Sequence, residues 1–359
     1  MKRIILTGGG TAGHVTPNIA LIPKLKEEGY DIHYIGSYNG IEKKLIEDMR
    51  IPYHGISSGK LRRYFDVKNF SDPFRVIKGY GEASRLMKSL KPDVVFSKGG
   101  FVSVPVVMAA KNHRIPAIIH ESDMTPGLAN KLCIPSATKI CCNFPEAMEH
   151  LPKGKAVLTG TPIRQELFHG NPLDAIQFTG LQANKPTILV IGGSTGSVRV
   201  NEAVRECLDE LLKTYQIIHL CGKGKLDIAY EHRDGYVQYE YIKKELSSLL
   251  ALADIVISRA GANAICELQS LAKPNLLIPL GAKASRGDQI LNAESFKKQG
   301  FSYVLPEEDL TKETLLNAVD QVYTHRADYQ AAMKNSRMTN SIDLIVDLIN
   351  DACQKNLSQ

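Results

Sequence analysis

The chain is 359 residues long, 43% hydrophobic and 23% charged, with a formal net charge of +6. Those proportions exclude a disordered or fibrous protein, and the length suits two domains better than one core. The mild positive charge fits generic basicity, or anionic lipid headgroups and phosphorylated substrates; with no basic helix, RNA-stacking motif or zinc finger, nucleic acid is not expected as a partner. From the N-terminus, Lys2-Arg3-Ile4-Ile5-Leu6-Thr7 is a short apolar strand that runs into the glycine cluster Gly8-Gly9-Gly10-Thr11-Ala12-Gly13. Pro17 to Leu25 carries helical spacing and stops at Gly29, and Asp31-Ile32-His33-Tyr34-Ile35-Gly36 is the next strand. Strand, glycine turn, helix and strand make a βαβ unit, which implies a parallel sheet. Asp93 to Ser97 and Ala117 to His120 are further strands with a helix between them.

The second half repeats the first. Pro186-Thr187-Ile188-Leu189-Val190-Ile191 meets a second cluster, Gly192-Gly193-Ser194-Thr195-Gly196-Ser197. Pro92-Asp93-Val94-Val95-Phe96-Ser97-Lys98-Gly99-Gly100 is echoed by Ala253-Asp254-Ile255-Val256-Ile257-Ser258-Arg259-Ala260-Gly261. Each leads into an apolar helix, a basic-then-proline turn and another strand. The pattern predicts an α/β protein of two similar doubly wound domains, expected at 1–162 and 163–338. Residues 339–356 read as an amphipathic helix, through Ile342, Leu344, Ile345, Leu348 and Ile349, that packs back on the first domain.

Gly8-x-Gly10-x-x-Gly13 after a strand formally satisfies the dinucleotide fingerprint. Its companion is missing: the second strand ends Tyr34-Ile35-Gly36-Ser37, with no acidic residue before Glu42 to hold ribose hydroxyls. Neither NAD nor any other cofactor is expected. The loop keeps its physical use, since glycines and the following helix N-terminus let backbone N–H groups approach a phosphate. The second cluster offers the same cradle, with hydroxyls at Ser194, Thr195 and Ser197. Two such loops facing each other across a cleft suit a shared phosphate-bearing ligand; tight turns closing βα units are the purely structural alternative. The chain has no Asp-x-Asp, so no metal-clamped diphosphate is expected, and helix N-termini with Arg164 are left to carry leaving-group charge.

No stretch approaches the roughly 18 uncharged apolar residues of a spanning helix, and the opening apolar run is too short for a signal-peptide core. The expectation is a protein that is soluble or bound to one membrane face. Between Lys60 and Lys78, Leu61, Tyr64, Phe65, Val67, Phe70, Phe74, Val76 and Ile77 interleave with Arg62, Arg63, Lys68 and Arg75. That mixture suits an interfacial segment meeting anionic lipid, or else a helix edge with solvated cations. Seven scattered cysteines without Cys-x-x-Cys spacing read as reduced cytosolic thiols, most of them core filler.

Several motifs then fall in order. Gly8-Gly9-Gly10-Thr11-Ala12-Gly13-His14 with Pro17, Lys98-Gly99-Gly100-Phe101-Val102-Ser103-x-Pro105, His120-Glu121 and Gly160-x-Pro162-x-Arg164 occupy the first half. Gly192-Gly193-Ser194-x-Gly196, Ser258-Arg259-Ala260-Gly261-Ala262 with Glu267, and Asp288-Gln289-x-x-Asn292-Ala293 occupy the second. Together they closely resemble the MurG family, the N-acetylglucosaminyltransferases that convert lipid I to lipid II in bacterial peptidoglycan synthesis. The resemblance spans nearly the whole chain in register. It implies a GT-B fold, two Rossmann-like domains facing across a cleft, with the lipid-linked pyrophosphate acceptor on the first and UDP-GlcNAc mainly on the second. It also implies peripheral attachment at the cytoplasmic face of the cell membrane.

Carried over position by position, Glu267 matches the family's ribose-binding glutamate, a role suited to a carboxylate that accepts from two vicinal hydroxyls. Arg164 and Ser194 match groups at the donor pyrophosphate, where an arginine stabilises charge building on departing UDP. Ile242 matches a residue whose backbone reads uracil. Ala262, Asn263, Ala264, Ile265 and Cys266 form the loop and helix start beside the nucleotide. Asp288 and Gln289 match the sugar-binding pair, with Asn292 second to them, and Thr11, Ala12 and Gly13 belong to the substrate-binding loop. His14, at the first helix's start, is the candidate base for the acceptor's 4-hydroxyl; a helix N-terminus lowers its pKa and keeps it neutral. Glu121 is the rival base.

The chain departs from the family at Ala12, where glycine is usual, and at His120-Glu121-Ser122-Asp123, which replaces His-Glu-Gln-Asn. Asp123 stands where an asparagine contacts the donor's N-acetylglucosamine, and an ionised aspartate accepts but cannot donate. The expected reaction is an inverting single displacement. A UDP-GlcNAc 2-epimerase needing no lipid, a nucleotide-sugar-binding module without turnover, and a glycolipid synthase using diacylglycerol are the alternatives.

Overall fold

The computed structural model describes residues 2–59, 72–193, 196–281, 287–336 and 341–357. The apolar runs that precede the glycine clusters form parallel strands buried along most of their length, as expected where helices cover both faces of a sheet. In the first half these are β1 (Arg3–Thr7), β2 (Asp31–Ser37), β3 (Tyr53–Ile56), β4 (Val94–Ser97), β5 (Ala117–Glu121), β6 (Lys139–Cys142) and β7 (Ala156–Leu158). They form one sheet of order β3-β2-β1-β4-β5-β6-β7, every pairing parallel. The second half holds β8 (Thr187–Ile191), β9 (Gln216–Leu220), β10 (Tyr236–Tyr239), β11 (Ile255–Ser258), β12 (Asn275–Leu277) and β13 (Tyr303–Val304). Their order is β10-β9-β8-β11-β12-β13, again all parallel.

Both sheets thus have the doubly wound arrangement that the repeated sequence pattern predicts. In each, the strand order reverses beside the first strand, between β1 and β4 and between β8 and β11. Such switch points are where open α/β sheets bind ligands, outside the carboxyl ends of the strands. The chain divides into one unit of Met1–Arg164 with Asn340–Gln359 and a second of Gln165–Thr339.

The C-terminal helix, Ser341–Leu357, joins the first unit's core. Ile342, Ile345, Val346, Ile349, Ala352 and Cys353 recur at helical spacing and are buried with Leu21, Leu25 and Tyr30. Tyr30 donates to Asn350 Oδ1 at 2.7 Å, and Lys2 Nζ donates to the same oxygen at 3.2 Å. Leu344, on the same helix, is 38% exposed. All seven cysteines are free and buried; burial pushes the thiols of Cys133, Cys141 and Cys142 up to about 12. Among the described residues no helix is long and apolar enough to cross a membrane.

Truncating one face of that helix should therefore hurt and the other should not. Ile349→Ala removes a fully buried side chain and is expected to destabilise the first unit by about 2–4 kcal/mol, read as a lower midpoint in urea. Leu344→Ala should cost no more than about 1 kcal/mol.

Candidate active site

The first unit's candidate residues gather at the carboxyl ends of β1, β4 and β5. The chain leaves β1 through Gly8 to Thr11, makes a short 3₁₀ turn over Ala12–His14, and enters helix Thr16–Glu27. Thr11 is exposed, and its Oγ1 lies 3.1 Å from His14 Nδ1. His14 Nδ1 also lies 3.1 Å from the Gly9 carbonyl. A carbonyl can only accept, so Nδ1 carries the proton and Nε2 the lone pair. Among the described residues Nε2 has no hydrogen-bond partner. The loop is held from below: Tyr34 donates to Gly8 O at 2.7 Å, Asn18 donates to Thr7 O at 3.1 Å, and Gly9 N donates to Gly99 O at 3.3 Å.

Burial, then the neighbouring Lys98 cation, push the His14 pKa down to about 4; the bond to Gly9 and the Glu42 charge oppose them. The imidazole is therefore neutral at pH 7, as expected, but burial and Lys98 rather than the helix N-terminus are the main causes. Lys98 is itself fully buried. Its Nζ donates to His120 Nδ1 at 2.9 Å and to Ser122 Oγ. His120 Nε2 in turn donates to Gly160 O at 2.8 Å, and burial with Lys98 holds this imidazole neutral too.

Glu121, the rival candidate base, is placed differently from His14. Its buried carboxylate accepts from Asp123 N at 2.9 Å, Gly127 N at 3.0 Å and Asn130 Nδ2 at 2.8 Å. Those bonds shape the loop after β5, two of them ending on Oε2 and one on Oε1. Asp123 lies half-buried on that same loop. Arg164 closes the first unit, and its Nε is buried without a partner among the described residues, an orphaned donor of the kind that an anion would satisfy.

In the second unit, the loop after β11 leads into helix Ala262–Ser270, whose cap is Gly261. Backbone N–H groups of Ala262, Asn263 and Ala264 begin that helix, where first-turn donors lack intrahelical acceptors. Glu267 lies half-buried one turn on. The side chains of Ile265 and Cys266 turn into the core, 0% and 3% exposed, so these two reach a ligand only through their backbone. Ile242 is likewise buried. Asp288 opens helix Asp288–Lys298, and beside it Gln289 Oε1 accepts from Leu280 N at 3.0 Å. Asn292 is buried and donates to Ala260 O at 3.1 Å, bracing the loop after β11 from inside. Ser194 lies outside the described residues.

Arg259 is a group that motif matching did not single out. It is 8% exposed, donates to Ser197 Oγ at 2.7 Å and Ile278 O at 3.1 Å, and pairs with Glu307. Ser197 caps helix Val198–Glu206, so Arg259 ties the second glycine loop to the strand beside it. Lys98 is its counterpart, and the signal available was position: each basic residue immediately follows the same strand of the repeat.

Comparison with known proteins places this geometry. The sequence models of the glycosyltransferase family 28 N-terminal and C-terminal domains match residues 4–142 and 187–349. The chain belongs to glycosyltransferase family 28. A relative from Lachnoclostridium phytofermentans, named UDP-N-acetylglucosamine–N-acetylmuramyl-(pentapeptide) pyrophosphoryl-undecaprenol N-acetylglucosamine transferase, is 68% identical over 98% of this chain and 99% of its own. A protein of the same name from Lachnospira eligens is 65% identical over 98% of this chain and 99% of its own. The crystal structure of Acinetobacter baumannii MurG matches with a TM-score of 0.76 and 26% identity, covering 98% of this chain and 100% of that one. These likenesses carry the fold and family inferred from the sequence; the family 28 assignment makes the loops after β1 and β11 the regions to test.

The electrostatics of His14 can be checked directly. Lys98→Met removes the cation and keeps the apolar stem, so the His14 pKa should rise from about 4 while staying below 6.5, because burial remains. A histidine-resolved NMR titration reads the change, and a value that stays put or falls would show that Lys98 does not act on His14.

Proposed function

We propose that the chain is an inverting glycosyltransferase that moves N-acetylglucosamine from UDP-GlcNAc to the 4-hydroxyl of MurNAc in undecaprenyl-pyrophosphoryl-MurNAc-pentapeptide. This is the step from lipid I to lipid II in peptidoglycan synthesis. The observation that carries the reading is 68% identity, across 98% of the chain, to a protein named for that transfer.

His14 is the base in this reading. With Nδ1 bonded to Gly9 O, Nε2 takes the proton of the acceptor hydroxyl as its oxygen bonds to the anomeric carbon. The bond from that carbon to the β-phosphate oxygen breaks on the opposite face, and UDP leaves with the electron pair. Arg164 and the N–H groups opening helix Ala262–Ser270 meet the diphosphate charge. Glu267 accepts from the ribose hydroxyls, the backbone at Ile242 reads uracil, and Asp288 with Gln289 holds the sugar. Ser194 matches the family's donor-pyrophosphate group, and Thr11, Ala12 and Gly13 belong to the substrate-binding loop of the first unit. Asp123 accepts from the acetamido N–H, a contact that does not require an amide.

Attachment to the membrane rests on the segment around Phe74. Phe74 and Ile77 are 75% and 68% exposed, next to exposed Arg75 and Lys78 at the start of helix Asp72–Leu90. Apolar side chains beside cations suit an anionic cytoplasmic bilayer face. The rest of the basic–aromatic segment, 60–71, lies outside the described residues.

Two measurements test this section. UDP release from UDP-GlcNAc should require a short-chain lipid I analogue. His14→Ala should lower kcat by roughly 10²–10⁴, and Glu267→Ala should raise the KM for UDP-GlcNAc about tenfold or more. Release without acceptor, or only from another sugar nucleotide, would overturn the assignment. Separately, Phe74→Ser with Ile77→Ser should reduce sedimentation with anionic vesicles at low salt while transfer to the soluble analogue persists; equal sedimentation would remove these residues from the docking face.

A further inference from the structure

A second buried charge lies on the far side of one peptide bond from His14. Glu42, in helix Ile41–Glu47, is fully buried. Its Oε1 accepts from Ser37 N at 2.9 Å and Ser37 Oγ at 2.5 Å, and its Oε2 accepts from Gly10 N at 3.2 Å. The Gly9 carbonyl that takes the His14 Nδ1 proton belongs to the same peptide unit as that Gly10 N–H. In a trans peptide the N–H and C=O point in opposite directions, and among the described residues no peptide bond is cis. Carboxylate, peptide and imidazole therefore form a single chain of hydrogen bonds. A carboxylate on the N–H polarises the amide and makes its carbonyl a stronger acceptor.

We propose that Glu42 is a positioning residue for His14, acting through the Gly9–Gly10 peptide to hold the Nδ1–H tautomer and keep Nε2 as the proton acceptor. It does at one remove what a carboxylate bonded directly to an imidazole does. The loop is shaped to admit it: a Cβ on Gly9 would lie 2.5 Å from Glu42 Oε1, and one on Gly40 2.1 Å from it. That gives the second glycine of the cluster a reason within the protein, apart from any phosphate. Among the described residues, the charges facing His14 are Lys98, from the loop after β4, and Glu42. Tyr34 and Tyr53 face Glu42 and remain neutral, their phenols pushed up first by burial and also by the Glu42 charge.

The inference rests on His14 as the base, and its test separates the two claims. Long-range proton–nitrogen correlation spectra of histidine-labelled full-length protein read the tautomer, with His14→Gln supplying the assignment. The native protein should show Nδ1 protonated. Glu42→Gln should shift the ring toward the Nε2–H form and lower kcat roughly tenfold to hundredfold, with the KM for UDP-GlcNAc unchanged. Ser37→Ala removes a bond to the same carboxylate but not the Gly10 contact, so tautomer and kcat should both persist. An unchanged tautomer in Glu42→Gln, or the same lesion in Ser37→Ala, overturns the proposal. If Glu42→Gln does not fold, Glu42→Asp carries the test, because its shorter side chain withdraws the carboxylate from Gly10; an unaltered tautomer there also overturns it. Full transfer by His14→Ala would instead sink the base assignment and leave the tautomer result standing.

Discussion

A charge taken out of water must find partners inside the protein or remain uncharged. That constraint shapes the first unit around the loop after β1. Lys98 and Glu42 are both fully buried, one on each side of the loop that carries His14. Each settles its hydrogen bonds by seizing a different part of the surroundings. Glu42 takes the N–H groups of Ser37 and Gly10, binding the end of β2 to the glycine cluster. Lys98 reaches His120, which passes the connection to Gly160, just beyond β7. The carboxyl ends of strands spread over most of the sheet are thereby linked through side chains whose displacement would strand a charge. Rigidity at the candidate base follows from that arrangement, since a loop of glycines alone has no reason to hold one conformation.

The second unit answers the same topological problem with different chemistry. Lys98 follows β4 as Arg259 follows β11, and the sheet registers make the correspondence closer. Ser97 pairs with Ile119 and Ser258 with Leu277, so His120 and Ile278 are equivalent positions on the neighbouring strands. Each basic side chain crosses to that equivalent residue, Lys98 to an imidazole nitrogen and Arg259 to a backbone carbonyl. Arg259 has donors left for Ser197 and Glu307, as a planar guanidinium with five N–H groups permits. The repeat has kept a buried cation at the switch point and altered what that cation organises.

Much of this was legible in the sequence, and the exceptions have physical reasons. Apolar runs ending in glycine clusters marked β1, β4, β8 and β11, and the Ser-Lys-Gly-Gly and Ser-Arg-Ala-Gly echo exposed the duplication. β7, β10 and β13 run for two to four residues and, unlike the equally short β4 and β11, lead into no glycine motif echoed in the other half, so periodicity alone has too little to register. Glu42 was passed over because a ribose-binding acid is sought at the end of the second strand. Its actual role depends on helix Ile41–Glu47 folding back beneath the first glycine loop, a contact that spacing does not encode. Asn292, second to the sugar-binding pair by its place in a motif, also has a structural bond that spacing does not show, its buried amide donating to the carbonyl of Ala260. Residue type and position favoured His14 over Glu121 without deciding between them, and the three donors around Glu121 are a contact pattern that spacing does not encode.

The low pKa of His14 bears on a difficulty every glycosyltransferase faces, which is water. With His14 as the proposed base, a pKa near 4 leaves the imidazole unprotonated but weakly basic, so it does little to activate a water molecule against the glycosyl donor. An acceptor carrying a pyrophosphate brings negative charge to the glycine loop, and a nearby anion raises the pKa of an imidazole. On this reading basicity rises when the acceptor arrives. Burial sets the low starting point, and Lys98 and Glu42 adjust it in opposite directions, the first lowering the pKa and the second raising it.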